Sequence, residues 1–142
     1  MKKIKKASLI CFYNNKNQIL LQERGDYSKH GEDWGFFGGG IEKGETALDA
    51  FYREAKEELG LDMDDFEVEY LGEFRFDLID RIAYRNLFII KTDMREVDFT
   101  VYEGVGAKYF SIEKARTLKF PSPVDGVIDI YENYILGKQN TK

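Results

Sequence analysis

Cysteine, histidine and proline are scarce in this chain of 142 residues, and each scarcity closes a class of structure or function. The lone cysteine, Cys11, cannot form an internal disulfide, which excludes a disulfide-stapled scaffold and fits a reducing cytoplasm. It reads as a small buried hydrophobe. The lone histidine, His30, cannot build a histidine-rich metal centre and falls in a polar loop. With only two prolines and no Pro/Ser-rich linker, repeat or low-complexity tract, nothing divides the chain, so residues 1–142 read as one domain. No run approaches the roughly 20 apolar residues that cross a bilayer. The basic start, Met1-Lys2-Lys3-Ile4-Lys5-Lys6, precedes a short apolar run broken by Ser8 and closed by Asn14-Asn15-Lys16-Asn17. That pattern is a strand and a turn, not an export signal, so a cytoplasmic protein without a membrane partner is expected. Positive charge is also in deficit: 21 Lys plus Arg against 26 Asp plus Glu, net -5. The balance argues against a grip on long nucleic acid. A small anionic substrate remains compatible, because a divalent cation reverses charge locally.

What the chain does have is a core: 43% of its residues are hydrophobic and 15% aromatic. Ala7–Tyr13 and Gln18–Arg24 read as a hairpin around an Asn/Lys turn. Gly25–Asp33 reads as a loop, and Trp34-Gly35-Phe36-Phe37 as a short strand running into a Gly38-Gly39-Gly40 loop. The spacing predicts a helix with Thr46 as N-cap, Asp49 completing a variant capping box, and Gly60 as its stop. Leu48, Phe51, Tyr52, Ala55 and Leu59 form its apolar stripe. Phe66–Phe76 and Ile82–Thr92 read as a second hairpin, and Gly106–Phe110 as a strand leading into a helix capped by Ser111. A last helix is expected from N-cap Ser122 and Pro123 to Gly137, with Val124, Val127, Ile128, Tyr131, Tyr134 and Ile135 inward. The order gives an α+β fold, a mixed β-sheet sandwiched between helices.

Chemistry concentrates in the first helix. Glu54, Glu57 and Glu58 stand at i, i+3 and i+4, sharing an arc of roughly 100° beside the apolar stripe. Like charges at this spacing repel, and the negative end of the helix dipole disfavours Glu57 and Glu58 further. Either the arc is a solvated acidic face or it serves a hard divalent cation, which takes oxygen ligands. Upstream glycines leave room for a phosphate to approach the backbone. Arg53 is placed to pair with Glu45 across the loop and with Glu57 one turn on.

Gly39, Glu45, Arg53-Glu54-Ala55, Glu57-Glu58 and Gly60-Leu61 resemble the Nudix box, G-x(5)-E-x(7)-R-E-U-x-E-E-x-G-U with U apolar, over residues 39–61. The strands before the box and the closing helix are similar to the family's small single-domain members, although Phe37 stands where many have proline. The resemblance implies a Nudix fold and a hydrolase that cleaves a phosphoanhydride in a nucleoside-phosphate substrate with Mg²⁺, or Mn²⁺ in its place. Glu54, Glu57, Glu58 and the Gly38 carbonyl would hold the metal. Glu45 and Arg53 would hold loop to helix, and Glu57 or the downstream Glu103 would be the base, with Glu96 and Asp98 as weaker alternatives. Arg24 would contact phosphate. Trp34 and Phe36 would either stack on a base or pack the core. A (d)NTP or an oxidised dNTP is the expected substrate, with nucleotide sugars, ADP-ribose, dinucleoside polyphosphates or a non-catalytic nucleotide sensor as alternatives. An mRNA-decapping or other RNA-end hydrolase is a rival that predicts a basic track, which the charge balance does not support. Members of the family also often form homodimers.

Overall fold

The computed structural model describes residues 2–25 and 31–139, so His30 and most of the loop around it lie outside the described residues. Among the described residues, seven strands form one mixed sheet: β1 (Lys3–Tyr13), β2 (Ile19–Glu23), β3 (Trp34–Gly35), β4 (Phe37–Gly40), β5 (Glu69–Asp77), β6 (Arg81–Lys91) and β7 (Gly106–Phe110). The helices are α1 (Ala47–Leu59), α2 (Ile112–Ala115) and α3 (Asp125–Gln139). The fold is the expected α+β arrangement. The sheet is mixed because β1 pairs β6 in parallel along its whole length, from Lys3 opposite Arg81 to Tyr13 opposite Lys91. Its other edge meets β4 and β2 antiparallel. β2 carries β3 and β7, and β5 pairs with β6.

Side chains of a strand alternate between faces, and that period sorts the core into two layers. Ile10, Phe12, Leu20, Phe88 and Ile90 point to α1, where they meet Phe51, Ala55 and Leu59. Cys11, Tyr13, Ile19, Leu21, Leu87 and Ile89 point the other way, to Val127, Ile128, Tyr131 and Ile135 of α3. Cys11 is fully buried, and burial pushes its thiol pKa up, so it is packing and not a nucleophile. The Phe51 ring lies flat on Phe88, centroids 4.2 Å apart and planes 11° from parallel. No helix among the described residues is long and apolar enough to cross a membrane.

Several expectations shift. β1 starts at Lys3, ahead of Ala7, because β6 pairs it that far out. β5 starts at Glu69, after a 3-10 turn at Met63–Asp65. Gly38–Gly40 is not a free loop: it is strand β4, paired to Ala7–Leu9. The last helix starts at Asp125 because Ser122 Oγ accepts from Arg85 Nη2 at 2.8 Å and does not cap, and it runs through Gly137 to Gln139. Leu48 is 51% exposed while Ala50 and Glu58 are buried, so the inward face of α1 is rotated from the predicted stripe.

Candidate functional site

The termini of α1 form as their chemistry demands. Thr46 Oγ1 accepts from Asp49 N–H and Asp49 returns the bond to Thr46 N–H, each at 3.0 Å. Gly60 closes the helix at φ 66°, a left-handed conformation that glycine adopts without penalty. Fixed this way, α1 presents Arg53, Glu54, Glu57 and Glu58 toward β4 and the loop after it.

Arg53 organises that loop. Its Nε and Nη2 hold both oxygens of Glu45 at 2.7 and 2.9 Å, a bidentate fork. Nη2 also donates to the Gly40 carbonyl at 3.0 Å, and Nη1 to Glu54 at 2.8 Å and Glu57 at 3.3 Å. The Arg53 fork lowers the Glu45 pKa. Glu45, the Gly40 carbonyl and the helix are thereby locked to one guanidinium.

Glu58 is in a different situation. It is 3% exposed, and Oε2 accepts from Gly38 N–H at 2.7 Å. Burial, offset in part by that bond and reinforced by the charges of Glu54, Glu103 and Glu57, pushes its pKa up to about 8. The pKa of Glu54 rises for the same first reason, burial; Arg53 pulls it down, and Glu57 and Glu103 add to the rise. Gly39 has no side chain because a Cβ there would stand 2.6 Å from Glu54 Oε1. Glu103 reaches this group through the chain: Tyr102 N–H donates to the Glu58 carbonyl at 2.8 Å, and Gln22 Nε2 to the Glu103 carbonyl at 2.8 Å. Four acids from α1 and the segment after β6 therefore face one another beside a glycine strand.

Such a set suits a hard divalent cation. Every side-chain donor is a carboxylate oxygen, and a nearly inaccessible carboxylate set among other carboxylates is costly unless a cation joins it. As the side chains lie, no three Asp, Glu, His or Cys among the described residues enclose an ion, since Arg53 draws Glu54 and Glu57 toward itself. Gly38 meets Glu58 through its amide.

The remaining candidates separate. Glu96 Oε2 accepts from Tyr109 N–H at 2.7 Å and Asp98 pairs with Arg95 at 3.3 Å, so both brace a turn at Glu96–Asp98. Trp34 packs edge-on against Phe110, centroids 4.8 Å apart. Phe36 packs on Phe120 and Tyr131, and it also lines a cavity of about 260 Å³ with Arg24, Gly38, Lys5, Arg81 and Arg85. Arg24 pairs with buried Glu32 at 3.3 Å. Sequence reasoning missed Arg85, Lys5 and Arg81 on this cavity. The signal for the first was a charge inside a strand run, Ile82 to Ile90, whose other residues apart from Asn86 are apolar or aromatic.

A family model, the NUDIX domain, matches residues 3–124. An uncharacterized Nudix hydrolase of Listeria innocua is 28% identical over 117 residues, 78% of this chain and 65% of that protein. An RNA pyrophosphohydrolase of Legionella pneumophila is 52% identical over 66 residues, 46% of this chain. The chain spans 65% and 34% of the lengths of these two relatives. The E. coli dihydroneopterin triphosphate pyrophosphohydrolase superposes with TM-score 0.74 at 19% identity, covering 96% of this chain and 99% of that one. A C. elegans Ap4A hydrolase superposes with TM-score 0.71 at 16% identity, covering 94% and 98%. At these identities the two structures show a common fold.

Proposed function

This chain belongs to the Nudix family, and from that premise we propose that it is a divalent-metal-dependent pyrophosphohydrolase cleaving a phosphoanhydride in a nucleoside 5′-polyphosphate. The observation that carries the reading is Glu58: a carboxylate buried among other carboxylates, on a helix whose loop is pinned by Arg53. The relatives named above act, by their names, on RNA, dihydroneopterin triphosphate or Ap4A. A polyphosphate chain is what these substrates share.

In this reading Glu54, Glu57, Glu58 and the Gly38 carbonyl would hold Mg²⁺ or Mn²⁺. When bound, the ion neutralises phosphate oxygens and makes a water more acidic. Glu103 would orient the attacking water and accept a proton at its carboxylate, because among the described residues that carboxylate makes no hydrogen bond or ion pair, whereas Glu57 is engaged by Arg53 at 3.3 Å. Glu45 and Arg53 keep the loop in place, and Arg24 and Phe36 border the substrate cavity.

The test is phosphate or pyrophosphate release from a panel of nucleoside triphosphates, dinucleoside polyphosphates and nucleotide sugars, with products identified by mass. Turnover of at least one of them that requires Mg²⁺ or Mn²⁺ is expected. Nucleotide binding without turnover of any would make the chain a sensing module. In the same assay, an unchanged kcat in Glu103→Gln would return the base role to Glu57.

Arg53→Lys tests the pin. Lysine keeps the charge but cannot make a fork that reaches Glu45, Gly40 and Glu54 together. Loss of a partner that orients ligands costs roughly 10–100-fold in metal affinity or activity, and that fall in kcat/KM is expected here. Activity within twofold of the parent would show that the loop needs no fork.

A further inference from the structure

The sheet face toward α3 carries charge opposite to that of the box. Parallel register sets Lys3 opposite Arg81, Lys5 opposite Ala83 and Ala7 opposite Arg85, so Lys5, Arg81 and Arg85 share a face, and all three line the cavity beside Phe36. Arg81 is partnered by Asp80 at 3.1 Å. Lys5 and Arg85 pair with no carboxylate among the described residues.

Arg85 is the unusual member. It is 7% exposed, yet none of its hydrogen-bond partners among the described residues is acidic. Nη1 donates to the Pro123 carbonyl at 2.9 Å and Nη2 to Ser122 Oγ at 2.8 Å, and the guanidinium carbon lies 5.2 Å from the Phe76 ring centroid. Gly126, where a Cβ would meet Phe76 at 2.6 Å, lets α3 close on that ring. Two of the five N–H groups of a guanidinium are thus used, and the group is clamped in one orientation. Burial and the neighbouring charge of Arg81 both act against its ionised form, a cost that an anion in the cavity would offset.

Gly38 and Arg85 stand at separate places along the cavity that both line. Gly38, which holds Glu58, pairs with Leu9, whereas Arg85 stands beside Ala7 on the opposite side of β1. Two inter-strand steps and two residues along the strand put their backbones on the order of 12 Å apart. Adjacent phosphorus atoms of an anhydride share an oxygen and cannot span that distance. A nucleoside can.

We propose that Arg85, with Lys5 and Arg81, forms an anion subsite that takes a phosphate ester on the 3′ side of the nucleoside whose 5′ anhydride is cleaved. The assignment rests on the hydrolase reading for the word substrate, but the subsite itself can be measured without catalysis. The ester has two sources, a free nucleoside 3′,5′-bisphosphate or the first phosphodiester of an oligonucleotide 5′ end.

Calorimetric titration of the full chain in chelator and low salt, with AMP, adenosine 3′,5′-bisphosphate and the dinucleotide pApA, separates the cases. One 3′-phosphorylated probe should bind about tenfold or more tighter than AMP, the scale of a hydrogen bond to a charged group. The bisphosphate binding better points to free nucleotides, and pApA binding better to oligonucleotide ends. The Lys5→Ala/Arg81→Gln double variant, altered at the exposed Lys5 and the half-buried Arg81 and checked for folding by circular dichroism, should lose about three- to tenfold of that advantage. AMP, which has no 3′ phosphate, should lose less affinity than the 3′-phosphorylated probes. Arg85→Met, checked for folding in the same way, should remove the rest. Equal affinity for all three probes, no detectable binding of any, or an undiminished advantage in the double variant overturns the proposal. An intact advantage in a protein that hydrolyses nothing would remove the hydrolase reading and leave the subsite standing.

Discussion

Replacing Glu58 with glutamine is expected to lower kcat/KM by roughly 10³-fold, the scale on which removal of one electrostatic element of a polar active site is felt, while making the metal-free protein more stable at alkaline pH. Both effects come from the same burial. The folded-state pKa is pushed up to about 8 from an ordinary 4.5. Between these values the folded chain holds a proton that the unfolded chain has released, so the parent loses stability as pH rises through that window and levels off above it. Each pKa unit is worth about 1.4 kcal/mol, so the whole penalty is on the order of 5 kcal/mol. Glutamine is nearly isosteric, keeps an acceptor for Gly38 N–H and carries no charge to desolvate. Thermal melts in chelator should therefore show Glu58→Gln and the parent nearly equal at pH 4.5–5 and the variant several degrees higher by pH 8–9. Added Mg²⁺ should raise the parent and not the variant. A variant no more stable than the parent at pH 9 would show that Glu58 is not desolvated. A variant of unchanged activity would take Glu58 out of the metal site.

Phe51→Ala is expected to destabilise the protein by about 3–5 kcal/mol, the range for deleting a buried phenyl ring, lowering Tm by roughly 10–15 °C in a chain of this size. Phe51 is fully buried, stacks on Phe88 and fastens α1 to the sheet. It stands one turn before Glu54 and two before Glu58, on the same side of the helix. The cavity left by alanine lies under the helix that carries the carboxylates. Phe51→Leu fills much of it and should cost under about 2 kcal/mol. Urea titration with tryptophan fluorescence measures both. A loss below about 1 kcal/mol in the alanine variant would mean that the Phe51–Phe88 stack does not fasten the helix.

What could be read in advance was local. The caps of α1 are written in Thr46, Asp49 and Gly60, and the fork between Arg53 and Glu45 follows from spacing. The rotation of α1 could not be read, because Glu58 takes an inward position that a polarity pattern assigns to solvent, and the apparent stripe slides toward Leu48. The start of α3 was misjudged because Ser122 is taken by Arg85, which lies 37 residues earlier in the chain. The cationic cavity was invisible for the same reason. A net charge of -5 describes the chain as a whole, while Lys5, Arg81 and Arg85 become neighbours only once β1 and β6 align in parallel. The acidic helix and the basic sheet face are a segregation that composition averages away.

The parallel pairing of β1 with β6 has a cost at synthesis. β1 leaves the ribosome well before β6, and its partner is complete only with Lys91. Until then the nascent chain displays an apolar strand bearing Ile10, Cys11 and Phe12 with one long edge open, and chaperones bind such segments. Synonymous codon changes that slow translation between α1 and β6 should therefore lower the soluble yield without altering the finished protein.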